Sequence, residues 1–242
     1  MVSFFGSQCL KDAVVARVRE HQRLDQIAQQ IYWDGSKGCA IGCVLHSGEH
    51  MAFETQLGLP VFLAYMDEHI FERLPLAEAK AWPLRFIEAV PVGVDLELVF
   101  PRFIHWLLSD PTGMRQYANA ETLPIIDSLV TMYARRIEGI PFDIAAARAA
   151  AAAVRAALWE AAAWEAAAAR AAAEAAARAA AALWEAAAWA AEAAEAAWSA
   201  AARASSVINR QADYLIALLR AYESQPITEA QCAEQLAALG FR

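Results

Sequence analysis

The chain has 242 residues, a formal net charge of −8 and a hydrophobic content of 59%. Since an acidic chain repels phosphate backbones, the negative net charge argues against general nucleic-acid binding. The four cysteines do not make a disulfide framework in a chain of this length, and the N-terminal residues lack the basic and apolar regions of a signal peptide. We therefore expect a cytoplasmic protein.

Residues 1–141 are predicted to form a helical core region, because apolar side chains recur at helical spacing almost throughout. The first helix is expected over Leu10–Gln30. A turn over residues 33–38 follows, and the run Cys39–His50 is predicted as the second helix. The apolar residues spaced for one face of this helix are Val14, Val18, Leu24 and Ile27, and Ile31, directly after it, continues the spacing.

Three prolines indicate where the next helices begin. Pro60 opens a helix with a broad apolar face, Pro75 opens a short helix, and Pro83 lies near the start of another. Several short helices joined by short loops are therefore expected in this part of the chain. The apolar face that follows Pro60 consists of Phe62, Leu63, Met66, Ile70 and Phe71.

Residues Val90–Phe100 alternate between apolar and polar side chains, as a short strand does. Pro91 and Gly93 interrupt this alternation, which weakens the case for a strand. We expect a loop here instead, followed by a helix through residues 103–108 that ends before Pro111.

Residues 145–204 contain 40 alanines in 60 positions and neither glycine nor proline. Because alanine has the highest helix propensity, a long helical segment is predicted over residues 142–225. Its charged residues fall mainly on one side of a helical wheel, and the opposite side is alanine flanked by tryptophan. Another helix can approach such a face closely, so we expect the segment to pack on the N-terminal region or on a second chain. Its frequent charges argue against a membrane span.

The fold class predicted from these patterns is all-α. An amphipathic helix over Glu121–Ile137 completes the core region of residues 1–141, and a short C-terminal helix is expected over residues 226–242, after the Ala-rich segment 142–225. The helix content is expected to exceed about 60% of the residues, well above the roughly one third that is typical of globular proteins.

Three short strings, GCAIGCVLH (residues 38–46), LGLP (57–60) and VGVDL (92–96), precede an alanine tail that is spaced by Trp, Arg and Glu. The combination resembles a group of uncharacterised bacterial and phage-borne proteins with an Ala/Trp-rich helical tail. The resemblance spans most of the chain and implies an architecture. It implies no activity, cofactor or catalytic residue.

The turn before the second predicted helix is one candidate site. Ser36, Lys37 and Gly38 precede Cys39 there. Free N–H groups at a helix start, next to a lysine, are suited to hold a phosphate or carboxylate group. The string lacks the P-loop pattern, and an interhelical turn with a serine cap accounts for the same residues. A small anionic ligand is therefore one expectation for this turn.

Cys39, Cys43, His46 and His50 are spaced by four, three and four residues, which places them on one face of the predicted helix. One metal ion cannot bind all four, because the ends of this helix lie roughly 16 Å apart while zinc ligands lie about 2.0–2.3 Å from the ion. The face is either a core stripe or a ligand-binding face. A thiol at a helix N-terminus has a lowered pKa, so Cys39 with a histidine base is a further candidate.

These patterns favour a non-catalytic binding or assembly protein that acts through helix–helix contacts, by self-association or with a protein partner. One alternative is a soluble protein that binds a small anionic or nucleotide-like ligand, and another is a cysteine/histidine-based enzyme. No catalytic residue, metal ligand or cofactor is predicted, because the sequence has no H-E-x-x-H, G-x-S-x-G or G-x-G-x-x-G pattern. The predicted ligand-binding residues are Ser36, Lys37, Gly38, Cys39, His46 and His50.

Overall fold

The computed structural model describes residues 1–111, 114–118, 120, 123–141 and 205–226. Within these ranges 66% of the residues are helical and no strand occurs, so the all-α prediction is confirmed. No helix in the described ranges is long and apolar enough to cross a membrane. The α-helices are α1 (Gln8–Arg23), α2 (Ala40–Leu45), α3 (Ala52–Leu57), α4 (Val61–Arg73), α5 (Leu76–Ala89), α6 (Val99–Ser109), α7 (Leu123–Ile137) and α8 (Ser205–Arg220).

The chain divides into two compact units, one made of Met1–Glu97 and Ala212–Arg242 and the other of Leu98–Gln211. Most of the predicted Ala-rich segment, together with the predicted C-terminal helix after Pro226, lies outside the described residues. The sequence-based organisation into residues 1–141, 142–225 and 226–242 therefore stays a prediction.

Helix α1 begins at a serine cap, where the Ser7 hydroxyl accepts a hydrogen bond from the N–H of Leu10 at 3.1 Å. The helix ends at Arg23, and Asp25 has a left-handed φ of 54°. The predicted extension to Gln30 is wrong because the chain turns at this point. The buried residues of α1 are Leu10, Val14, Val18 and His21.

The short helix α2 lies at the centre of the first unit. All six of its residues are buried, and it packs against α1, α4 and α5. The predicted helix Cys39–His50 is wrong in extent, because His46 takes the left-handed conformation (φ 55°, ψ 35°) and ends α2. The next turn, which contains Gly48, leads to α3, so Cys39, Cys43, His46 and His50 do not share one helix face.

Helices α4 and α5 supply several of the largest buried side chains of this unit, including Trp82, Phe71 and Phe86. The expected apolar residues of α4 are buried, except for half-buried Phe62. The predicted break at Pro83 is wrong, since α5 continues through that residue. Pro83 is itself buried within α5, and its packing compensates for the backbone hydrogen bond that proline cannot donate.

The chain after α8 packs on the loop at residues 90–96. The N–H of Val92 donates to the Ser224 hydroxyl at 3.1 Å, and its carbonyl accepts from the N–H of Gln225 at 2.6 Å. An ion pair between Arg85 and Asp213 adds a contact within the same unit. The loop expected from residue 90 onwards is confirmed, with an isolated bridge between Val2 and Asp95 and no strand among the described residues.

In the second unit, α6 packs along α7. The rings of Phe100 and Tyr133 meet edge to face with centroids 6.5 Å apart, and Tyr133 is fully buried. Arg210 of α8 donates to Asp110 at 2.9 Å. The helices that periodicity predicts over residues 103–108 and 121–137 are both observed in the described residues.

Candidate functional site

The turn that was expected to bind an anion is closed by its own aspartate. One carboxylate oxygen of Asp34 accepts from the N–H groups of Ser36 and Lys37 and from the Ser36 hydroxyl, each at 2.9 Å. These three hydrogen bonds lower the pKa of Asp34, so the carboxylate stays charged in place. A ligand anion would have to displace a charged group that already satisfies these donors.

The two N–H groups that follow are also occupied. Gly38 donates its N–H to the Gln26 carbonyl at 3.0 Å, and Cys39 donates to the carbonyls of Ile31 and Tyr32. The N–H groups of residues 36–39 are therefore not free, contrary to the expectation for this turn. Lys37 keeps an exposed side chain at the turn.

The thiols of Cys39 and Cys43 are buried on and beside α2. Burial raises the pKa of each thiol to about 12, and the nearby carboxylates Asp67 and Glu68 act in the same direction on Cys39. The expected lowering of the Cys39 pKa at a helix N-terminus is wrong, because burial outweighs the two backbone N–H contacts. The Cys43 thiol donates to the Gly38 carbonyl at 3.3 Å.

The imidazole of His46 lies on the surface and pairs with a buried histidine from α1. The Nε2 atoms of His46 and His21 are 2.8 Å apart, and His21 Nδ1 lies 2.7 Å from Gln26 Oε1. The Trp33 ring stacks on His46 at a centroid distance of 4.3 Å. When Gln26 accepts from His21 Nδ1, His21 Nε2 is left to accept from His46, so this chain orients both rings.

The pair is disfavoured as a doubly charged species. Desolvation, followed by the charges of Arg17 and His21, lowers the pKa of His46 to about 4. Arg17 is held here because its guanidinium donates to the Val44 carbonyl at the end of α2, at 2.9 Å. His46 is therefore a neutral hydrogen-bonding group at neutral pH.

A second aromatic group lies around His50. The imidazole stacks on Tyr65 of α4 with centroids 4.3 Å apart, and Tyr32 meets it edge to face at 6.3 Å. His50 Nε2 is 2.6 Å from a Glu68 carboxylate oxygen, and Glu68 also accepts from the Tyr32 hydroxyl. We call the surface formed by Tyr32, His50, Tyr65 and Glu68 the Tyr32 surface.

Glycines let the backbone of residues 31–33 lie directly on α2. A β-carbon at Gly38 or Gly42 would collide with the Tyr32 carbonyl, and one at Gly48 would come within 3.2 Å of the Tyr32 side chain. The same loop is tied to α4 through Gln30, whose N–H donates to both carboxylate oxygens of Glu72 at 3.0–3.1 Å. Tyr32 and Trp33 are thus displayed from a backbone that is fixed on two helices.

His46 and His50 were predicted as site residues from the sequence, whereas His21, Tyr32, Trp33 and Glu68 were not. The signal that was available is the spacing of Gly38, Gly42 and Gly48, which marks close approach of a second backbone. It does not reveal which segment approaches, because that depends on where α1 ends.

Comparisons of this chain with protein-family models, with curated proteins and with solved structures find no match. The resemblance to bacterial and phage-borne proteins therefore stays a prediction. Among the residues that the structure describes, no three His, Cys, Asp or Glu side chains come together in a way that would hold a metal ion.

Proposed function

We propose that this chain is a non-catalytic binding protein that engages a protein partner through the Tyr32 surface. The observation that carries the proposal is that Tyr32 is 56% exposed while its backbone is locked on α2 by close glycine contacts. A large aromatic side chain whose backbone is fixed before the partner binds loses little conformational entropy on binding. This is a usual property of an interface hot spot.

The neighbouring side chains extend this surface. Met51, the residue that directly follows His50 in the chain, is 52% exposed and offers an adaptable apolar side chain. Tyrosine and methionine are enriched in protein interfaces because they combine large contact area with polar or polarisable atoms. The occupant that we favour is therefore a protein chain, in agreement with the binding role expected from the sequence.

The chemistry of the neighbouring groups supports binding over nucleophilic catalysis. Both buried thiols are protonated at neutral pH, since their pKa is raised to about 12. The two histidines that the sequence grouped with these cysteines are engaged elsewhere, His46 with His21 and His50 with Glu68. An arrangement of this kind orients side chains and leaves no activated nucleophile beside a base.

A site-specific photo-crosslinker tests the proposal. Full-length protein carrying p-benzoylphenylalanine at position 32 is expressed in the organism that encodes it, with the same crosslinker at exposed Leu76 of α5 as the matched control. We expect one discrete crosslinked protein from position 32 that position 76 does not give. The purified partner should then bind the wild-type chain saturably and bind Tyr32→Ala about tenfold or more weakly.

Binding without reaction is part of the same experiment, since both proteins should be recovered with unchanged masses after prolonged incubation. A partner that binds wild type and Tyr32→Ala equally would overturn the assignment of the surface. A change in the mass of either protein would overturn the non-catalytic role.

A further inference from the structure

The Tyr32 surface combines aromatic rings with carboxylates, and this combination selects for positive charge. Tyr32, His50 and Tyr65 form a continuous series of rings, with one edge-to-face contact and one stacked contact. The faces of tyrosine rings carry negative partial charge, so they attract an ammonium or guanidinium group within about 6 Å of the ring centroid.

The carboxylates at this surface act on Tyr32 directly. The charge of Glu68 is the largest cause that raises the pKa of the Tyr32 hydroxyl, and Glu72 contributes in the same direction. A negative potential that holds a proton on a phenol also stabilises a cation placed next to the ring. Arg73 lies near Glu72 and offsets part of this potential, whereas Glu68 is hydrogen-bonded to His50 and Tyr32.

Resting on the proposed function, we infer that the Tyr32 surface receives an arginine or lysine side chain of the protein partner. The cation lies against the exposed Tyr32 ring, with the Glu68 and Glu72 carboxylates compensating its charge. Charge complementarity favours this occupant over an acidic one, which would meet two carboxylates and find the N–H groups of the neighbouring turn already bound to Asp34.

The test uses N-acetyl-arginine amide as the probe and N-acetyl-citrulline amide, which has nearly the same shape without the charge, as its control. Each is titrated into the full-length protein at constant ionic strength, and the NMR signals of isotope-labelled tyrosine are followed. We expect the arginine probe to shift the Tyr32 signals saturably, whereas the citrulline probe has little effect. The Tyr32 signals are assigned by their loss in Tyr32→Phe.

Two substitutions locate the effect. Glu68→Gln should weaken the arginine probe about threefold to tenfold, since it removes one compensating charge. The matched variant Glu49→Gln changes an exposed carboxylate in the preceding turn and should leave the affinity within about twofold. Thermal unfolding of both variants checks that the fold is retained, and a Glu68→Asp variant that restores binding separates charge from packing.

Equal responses to the arginine and citrulline probes, or equal affinity in Glu68→Gln and wild type, would overturn this inference. The proposed function has an independent outcome. If the crosslinked partner needs Tyr32 for binding but binds Glu68→Gln as tightly as wild type, the binding role holds and the inference of a cationic side chain is wrong. If the arginine probe binds selectively but no protein partner is crosslinked, the surface is a cation site and the proposed function is wrong.

Discussion

The carbonyl of Tyr32 occupies the space that a β-carbon on Gly42 would need. This contact joins the loop after α1 to the central helix α2, and it fixes where Tyr32 and Trp33 reach the surface. Glycine is required here for close approach of two backbones and not for a left-handed conformation.

Gly42→Ala should therefore destabilise the first unit strongly. Overpacking of a well-packed site costs about 1–3 kcal/mol, and a collision with backbone places this substitution at the upper end of that range or above it. Gly48→Ala is the matched control, because its added methyl group meets only Tyr32 side-chain atoms, at 3.2 Å and beyond. Urea unfolding of the full-length chain measures both, and equal midpoints would contradict the close contact.

Reactivity of the cysteines provides a second prediction. Cys39 and Cys43 are buried, and the pKa of each is raised to about 12, so iodoacetamide at neutral pH should label them much more slowly than half-exposed Cys9. Peptide mass spectrometry gives the labelling rate at each position. In urea the three rates should become similar, and rapid labelling of native Cys39 would revive the cysteine-based alternative.

Local patterns predicted part of this fold from the sequence. Helices α6 and α7 follow from periodicity, because each buries one continuous face. The end of α1 near Asp25 could not be predicted, since the apolar spacing continues to Ile27, which is buried outside any helix. The isolated bridge from Ile27 to Gly38 shows that tertiary pairing overrides the helical pattern there.

The candidate site was harder to predict than the helices. His46 and His50 were identified from their spacing within one short stretch of sequence. Their partners come from distant segments, His21 from α1 and Glu68 from α4. Such partners depend on tertiary packing, which periodicity does not encode. The prediction for the turn at Asp34 was wrong for a local reason. Asp34 directly precedes the glycine of the turn, and the hydrogen bond that its carboxylate accepts from the N–H of Lys37 was not considered.

Asp67 should make the protein less stable as the pH rises. It is fully buried, accepts from the Trp82 indole at 2.7 Å, and burial raises its pKa well above the usual value. Between the unfolded-state pKa of about 3.9 and the raised folded-state pKa, the native protein binds more protons than the unfolded chain. The free energy of unfolding therefore decreases with rising pH across this window.

Asp67→Asn keeps the acceptor for Trp82 and removes the titration. We expect this variant to lose less stability than wild type between pH 4 and pH 7 and to be the more stable protein at pH 7. Urea unfolding at several pH values measures how the free energy of unfolding changes with pH. Asp12→Asn, at an exposed position of α1, is the control. Parallel slopes for Asp67→Asn and wild type would show that Asp67 is ionised in the native state.

His46 should produce the opposite trend on the acid side. Its pKa is lowered to about 4 in the folded protein, against about 6.5 when unfolded, so the unfolded chain binds more protons between these values. Its contribution is complete above pH 6.5 and is lost as the pH falls towards 4. Because the ring is largely exposed, we expect an effect on the order of 1 kcal/mol.

His46→Asn tolerates the left-handed backbone and removes the titration, so its unfolding free energy should fall less than that of wild type between pH 6.5 and pH 4. Slopes are compared, because loss of the stack on Trp33 lowers stability at every pH. An NMR titration that places the His46 midpoint near 6.5 would contradict the lowered pKa of His46.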